Sequence, residues 1–238
     1  MHMNERSQNL LAEGILIVAS ILVAFAIDAW WEERQNRVEE RRILESLRTE
    51  FQANVAYFPN FIEAHRRSVH YAKALNDAMK AAGPGGTFTF DTAQLAQVIQ
   101  NRSTDPQTGA LDAILQSGEL RYISNSRIRE ALAHWPRLVV DATENEQLLR
   151  TQWGPMLHAA LVKNVDISPI QDMDEACWAN PMLEKCGASS ITLIWDTEVI
   201  GYLSPVGGYA AEAARELELL LQEAEDVVAL LDQELARQ

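Results

Sequence analysis

The residues able to do chemistry are few and scattered, and Cys177 and Cys186 are the first pair to weigh. They share the segment DEACWANPMLEKCGAS, where Asn180-Pro181 and Gly187 read as loop residues. A disulfide could staple such a loop, and it would need an oxidising compartment; two ordinary thiols are the alternative. No CxxC and no paired histidine accompanies them, so a zinc site is not expected. His65 and His70 fall on different faces of any helix that carries both. His134, beside Trp135-Pro136, and His158 read as structural or surface residues. Asp166, Asp172, Asp174 and Glu175 form a sparse acidic loop without the glycine and ligand spacing of an EF-hand. There is no P-loop, no GxSxG and no HExxH. Trp135, Trp153, Trp178 and Trp195 are read as core or loop anchors rather than a ligand cage. The sequence therefore offers no catalytic, cofactor-binding or metal site, and no enzyme activity or cofactor is expected. A net charge of −14 argues against a nucleic-acid partner, since such binding comes chiefly from neutralising phosphates with Lys and Arg.

Two further acids, Glu13 and Asp28, bracket the stretch LLAEGILIVASILVAFAIDAWW, residues 10–31. At 1.5 Å per residue it reaches roughly 33 Å, enough for a hydrocarbon core of about 30 Å. Trp30 and Trp31 supply the aromatic pair favoured at a membrane interface. The stretch is read as one transmembrane helix. A cleaved signal peptide competes, because Ala24-Phe25-Ala26 fits an A-x-A site, but the amino-terminal region is weakly basic and Glu13 opens the apolar core. Glu13 and Asp28 are either hydrated interfacial acids or intramembrane polar contacts, and their place near the ends favours the first reading. Ala12, Ala19 and Ala26 recur on one face with Ser20 and Ala24 beside them. Small residues of this kind let membrane helices approach, which is weak support for an oligomer or a partner helix.

Hydrophobic residues make up 47% of the chain, enough for a core in the part that follows the span. Residues 1–9 are read as a tail, 10–31 as the span and 32–82 as a long amphipathic helix. It carries Glu33/Arg37 and Arg41/Glu45 pairs and an apolar stripe from Leu44 to Ile62. Pro59 is expected to kink or interrupt that helix. Gly83-Pro84-Gly85-Gly86 breaks the chain, and Thr87–Phe90 reads as a short strand before an Asp91 helix cap. Residues 87–203 form a helical domain with the cysteine-containing loop at 164–190. Within it Gly118 stops one helix and Ser124-Asn125-Ser126 starts the next, which Pro136 interrupts. Residues 191–195 and 199–203 read as short strands, with helix the close alternative. Ser204-Pro205 opens a last amphipathic helix, 204–238, expected to pack on 40–75 and close a bundle; a coiled coil between protomers would use the same residues. The fold class is mainly α, a membrane-proximal helical bundle with at most a few short strands.

The segments EGILIVASILVAFAIDAWWEERQNR, RILESLRTEF and TGALDAILQSGELRYISNSRIREALAHWPRL together resemble a family of bacterial membrane proteins of unknown function. The shared features are an apolar helix ending in an Asn/Asp-x-Trp boundary, here Asp28-Ala29-Trp30, then a charged helix from Glu32. A short helix, Leu111 to Ser117-Gly118, then leads to Ile123. The resemblance covers roughly the first 140 residues and implies that the rest is exported; it carries no catalytic residues. The short tail MHMNERSQN departs from the more basic tail of that family. The positive-inside rule conflicts with export, because Arg34, Arg37, Arg41, Arg42 and Arg48 follow the span and only Arg6 precedes it. The cysteine pair sides with the resemblance, and the soluble part is placed on the periplasmic side of a bacterial inner membrane, with the cytoplasm as alternative. The expected function is that of a membrane-anchored interaction protein, an accessory or scaffold subunit of a homo-oligomer or a larger membrane complex, its partners the bilayer and other membrane-protein subunits. An extracytoplasmic sensor or small-ligand-binding domain is the alternative.

Overall fold

A computed structural model describes residues 5–100, 102–163, 165–174, 176–177, 186 and 189–238. Its first element, α1 (Glu5–Ala82), is one helix of 78 residues, about 117 Å long at the standard rise. Pro59 lies inside it without ending it, so of the expected kink or interruption the interruption is absent, and the helix reaches Ala82 as expected. The ring of Pro59 faces solvent while its neighbour Phe58 is fully buried, so packing on the opposite face holds the helix together across the lost hydrogen bond. Pro59→Ala is accordingly expected to stabilise the bundle, by about 1–3 kcal/mol. A denaturant midpoint that did not rise would show that the proline is accommodated without penalty.

The helix ends in glycine. Gly83 takes the left-handed conformation at φ 67°, with its N–H donating to Met79 O at 3.3 Å. Gly86 is needed for a different reason: a Cβ there would lie 2.2 Å from the Ala82 carbonyl oxygen. Strand β1 (Thr87–Asp91) then pairs antiparallel with β2 (Ser190–Ile194), in the register Thr87↔Ile194 to Asp91↔Ser190. Asp91 caps α2 (Thr92–Ile99), accepting from Gln94 N at 2.8 Å.

After an extended stretch come α3 (Gly109–Ser117), stopped by Gly118 at φ 73°, and a 3₁₀ turn, Glu119–Tyr122. Helix α4 (Ser126–Leu148) is capped by Asn125 and passes through Pro136 unbroken, so the interruption expected there is also absent. A π-helical turn, Leu149–Trp153, follows, then α5 (Gly154–Val162) and the single turn α6 (Ser168–Gln171). The last helix, α7, is Thr197–Leu235. It starts well before Ser204 because Asp196 caps it, accepting from Glu198 N at 2.7 Å and Val199 N at 3.3 Å. Residues 199–203 are therefore helix rather than strand, and Pro205 sits inside the helix.

The chain is mainly α-helical, with two short strands among the described residues. α7 lies along α1, and the interior falls into two apolar clusters. The cluster nearer residue 31 joins Leu44, Leu47, Phe51, Phe58 and Ile62 of α1 to Leu217, Leu220, Ala224, Val227 and Leu231 of α7, with Leu132 and Trp135 of α4. The far cluster joins Tyr71, Leu75 and Met79 to Leu95, Leu157, Leu193, Leu203 and Val206. α1 and α7 run through both.

Candidate functional site

Between the two clusters lies a buried polar layer. His65 of α1 and Glu146 of α4 are 4% and 2% exposed, so neither reaches solvent. His65 Nε2 and Glu146 Oε1 are 2.7 Å apart. Thr104 donates to the same carboxylate twice, from its backbone N–H to Oε2 at 2.7 Å and from Oγ1 to Oε1 at 2.6 Å. One proton lies between the His65 ring nitrogen and the carboxylate. Three hydrogen bonds satisfy the buried carboxyl group, which is what keeps such a group tolerable in an apolar interior.

Thr104 begins a strap, residues 104–125, that α1 holds through side chains bonded to strap backbone. Tyr57 Oη accepts from Asp105 N at 3.3 Å. Asn54 exchanges two bonds with the backbone of Gln107, both 2.8 Å. Glu50 accepts from Ala110 N and from Leu111 N, the second at 3.1 Å, so its carboxylate caps the start of α3. Glu40 takes the N–H and hydroxyl of Ser124 at 2.6 and 2.7 Å. At about 100° per residue, Glu40, Glu50, Asn54, Tyr57 and His65 fall within a sector of roughly 100° on α1, beside the apolar stripe. The seam zips an otherwise irregular segment onto the rod. Glu50→Ala is expected to free the strap, at a loss of about 1–3 kcal/mol for the two orphaned N–H groups. Amide exchange at Ala110 and Leu111 should accelerate, and unchanged protection there would refute the clasp.

Beyond the layer, burial lowers the Arg102 guanidinium below its usual value, and the nearby Arg67 adds to the effect. Burial also raises the Tyr71 phenol, with the Arg67 charge opposing. A folded-state value above the unfolded one means that stability from Tyr71 is present below the ordinary phenol range and is lost as pH rises through the raised value.

The expected site residues fall into separate places. Glu13, Ala19, Ser20, Ala24, Ala26, Asp28, Trp30 and Trp31 all lie on the exposed part of α1; the side chain of Ala12 lies outside the described residues. Ser20 Oγ donates back to Leu16 O at 2.6 Å, which satisfies it within an apolar stretch. The rings of Trp30 and Trp31 are 6.4 Å apart and each is 55% exposed. Cys177 and Cys186 lie at disulfide distance, with Cα atoms 5.5 Å apart, packed on Ala93 of α2. His70, His134 and His158 are exposed. Asp166 and Asp174 cap local turns, accepting from Ser168 N at 2.9 Å and Ala176 N at 2.8 Å. Glu175, Trp178, Asn164, Asn180, Pro181 and Gly187 lie outside the described residues. Trp135 packs edge-on against Phe51 at 4.7 Å, and Trp153 stacks on Tyr209 at 5.8 Å.

Among the described residues, no group of three or more His, Cys, Asp or Glu side chains converges on a metal position. The polar seam escaped the sequence reading, although Glu50 carried one signal: no Lys or Arg stands three or four positions from it. Residues 13–38 are exposed throughout, and this end of α1 is long and apolar enough to cross a membrane, with none of its apolar window buried by the rest of the chain. Set against family models, curated proteins and solved structures, the chain matches none of them.

Proposed function

We propose that this chain is a membrane-anchored helical interaction protein, an accessory or scaffold subunit that joins copies of itself or other membrane-protein subunits. One observation carries the reading. Ile15, Leu16, Ile17, Val18, Ile21, Leu22, Val23, Phe25 and Ile27 are all at least half exposed on a helix that continues unbroken into the bundle core. An apolar surface of that extent needs lipid or another helix to cover it. The anchor is rigid, because the helix that spans is the helix on which α7 packs. A shallow groove between α4 and α7, lined by Leu138, Ala142, Leu219 and Leu220, adds apolar surface for a partner outside the bilayer. The seam of buried carboxylates fits a scaffold too, since each is spent on holding backbone.

The bilayer is proposed to be a bacterial inner membrane with the bundle on the periplasmic side. The closeness of Cys177 and Cys186 and the resemblance to exported proteins support that side; the arginines after Trp31 oppose it. A reporter fused after Gln238 tests it, through activity in one compartment only. Purification in mild detergent followed by light scattering tests the interaction. The expected result is a homo-oligomer or a stoichiometric complex, and a partner-free monomer would contradict it.

A further inference from the structure

We propose that the wedge between the end of the span and the base of the bundle seats the phosphate headgroup of one anionic phospholipid. This rests on the membrane-anchored reading above. After Trp31, α1 stays exposed as far as Val38 and meets the bundle only at Glu39 and Glu40. The 3₁₀ turn and the end of α7 form the opposite wall. The cleft between them, about 710 Å³, is lined by Trp30, Arg34, Arg37, Arg41, Tyr122 and Arg237, among others. It adjoins a second cleft that shares Arg34, Val38 and Tyr122 and reaches Trp31.

Position, charge and shape agree on the occupant. Arg34 stands one turn, about 6 Å, beyond Trp30, which puts its guanidinium at headgroup level if the tryptophans mark the interface. The carboxylates of the wedge are already engaged. Glu33 pairs with Arg37 at 3.5 Å, Glu40 holds Ser124, and Glu234 accepts from Asn125 at 2.8 Å and pairs with Arg237 at 3.5 Å. Among the described residues no carboxylate pairs with Arg34, which leaves one guanidinium for an anion. The residue type fits as well. Every lysine lies at position 73 or later, whereas the stretch after the span uses arginine at 34, 37, 41, 42 and 48. Arginine offers the planar fork that grips phosphate with two bonds. Trp30, Trp31 and Val38, each at least 55% exposed, form an apolar wall against which the glycerol and first methylenes can lie.

The test is native mass spectrometry of the full chain, taken from membranes after an alkaline wash and offered phosphatidylglycerol or phosphatidylcholine of equal chain length. One bound phosphatidylglycerol per chain is expected, preferred about tenfold, the size of one charge-assisted contact. Arg34→Gln with Arg237→Gln should abolish the preference, while Arg150→Gln, on the exposed surface of the distal end, should keep it. Equal retention of the two lipids overturns the proposal alone. So does a preference that survives the double substitution, equally tight binding of free glycerol phosphate, or a lipid-free dimer blocked by the same substitution. Release of the chain by the alkaline wash overturns the membrane reading and the proposal with it.

Discussion

Replacing Glu146 by alanine is expected to destabilise the bundle by about 3–5 kcal/mol, because several buried polar groups lose their partner at about 1–3 kcal/mol each. The carboxyl group is the partner of His65 Nε2 and the acceptor for the N–H and hydroxyl of Thr104, and its loss leaves three polar groups unpaired in a layer closed above and below by apolar side chains. Glu146→Gln should also be costly, because an amide nitrogen would face groups that already donate. For a bundle of this size the expected fall in thermal midpoint is about 10 °C. His65→Ala combined with Glu146→Ala should be milder than the two single effects added, since the pair shares one network. Additive losses would mean that the layer is not a network at all.

Trp135→Ala is expected to cost about as much, roughly 3–5 kcal/mol, by a different mechanism. Its side chain is 1% exposed and wedged between Phe51 and Phe58, with ring centroids 4.7 and 6.5 Å away. Helices α1, α4 and α7 meet there, so an alanine leaves a void that none of them can close without moving the others. Trp135→Phe should recover a large part of the loss, because it restores ring packing without the indole. Equal instability of both variants, read from unfolding midpoints, would place the importance of Trp135 somewhere other than volume.

The two effects differ in how visible their origin was. The apolar stripes of α1 and α7 are periodic, and so were readable as the faces of a helical bundle. Local signals were readable as well: Asp91 before α2, Gly118 after α3 and Asn125 before α4 all act within a few residues of themselves. None of the helix prolines marks a break. Pro59 and Pro136 expose their rings while the opposite faces of their helices stay packed, and tertiary contacts override the local preference to break. Ser204-Pro205 suggests a helix start that Asp196 in fact supplies eight positions before Ser204, where two backbone N–H groups of α7 meet its side chain. The polar seam was illegible for a different reason. Glu40, Glu50, Asn54 and His65 bond to partners far along the chain, and apart from the missing cation beside Glu50 nothing in their local sequence marks them.

One continuous helix is exposed and apolar at one end and core of the bundle at the other, and the proposed anchoring places the exposed end in a bilayer. Nitroxide labels placed singly along residues 14–50 of the full chain in lipid bilayers test it directly, through the contrast between oxygen and a water-soluble nickel chelate as relaxants. High oxygen access is expected at 15–27, with a crossover near Trp30 and Trp31 and helical protection with period 3.6 from residue 39 onward in unbroken phase. Reduced oxygen access confined to Ala19 and Ala26 would locate a partner helix on the small-residue face. Nickel access throughout 15–27 would exclude a lipid-embedded segment, and loss of helical phase between 31 and 40 would exclude a continuous rod.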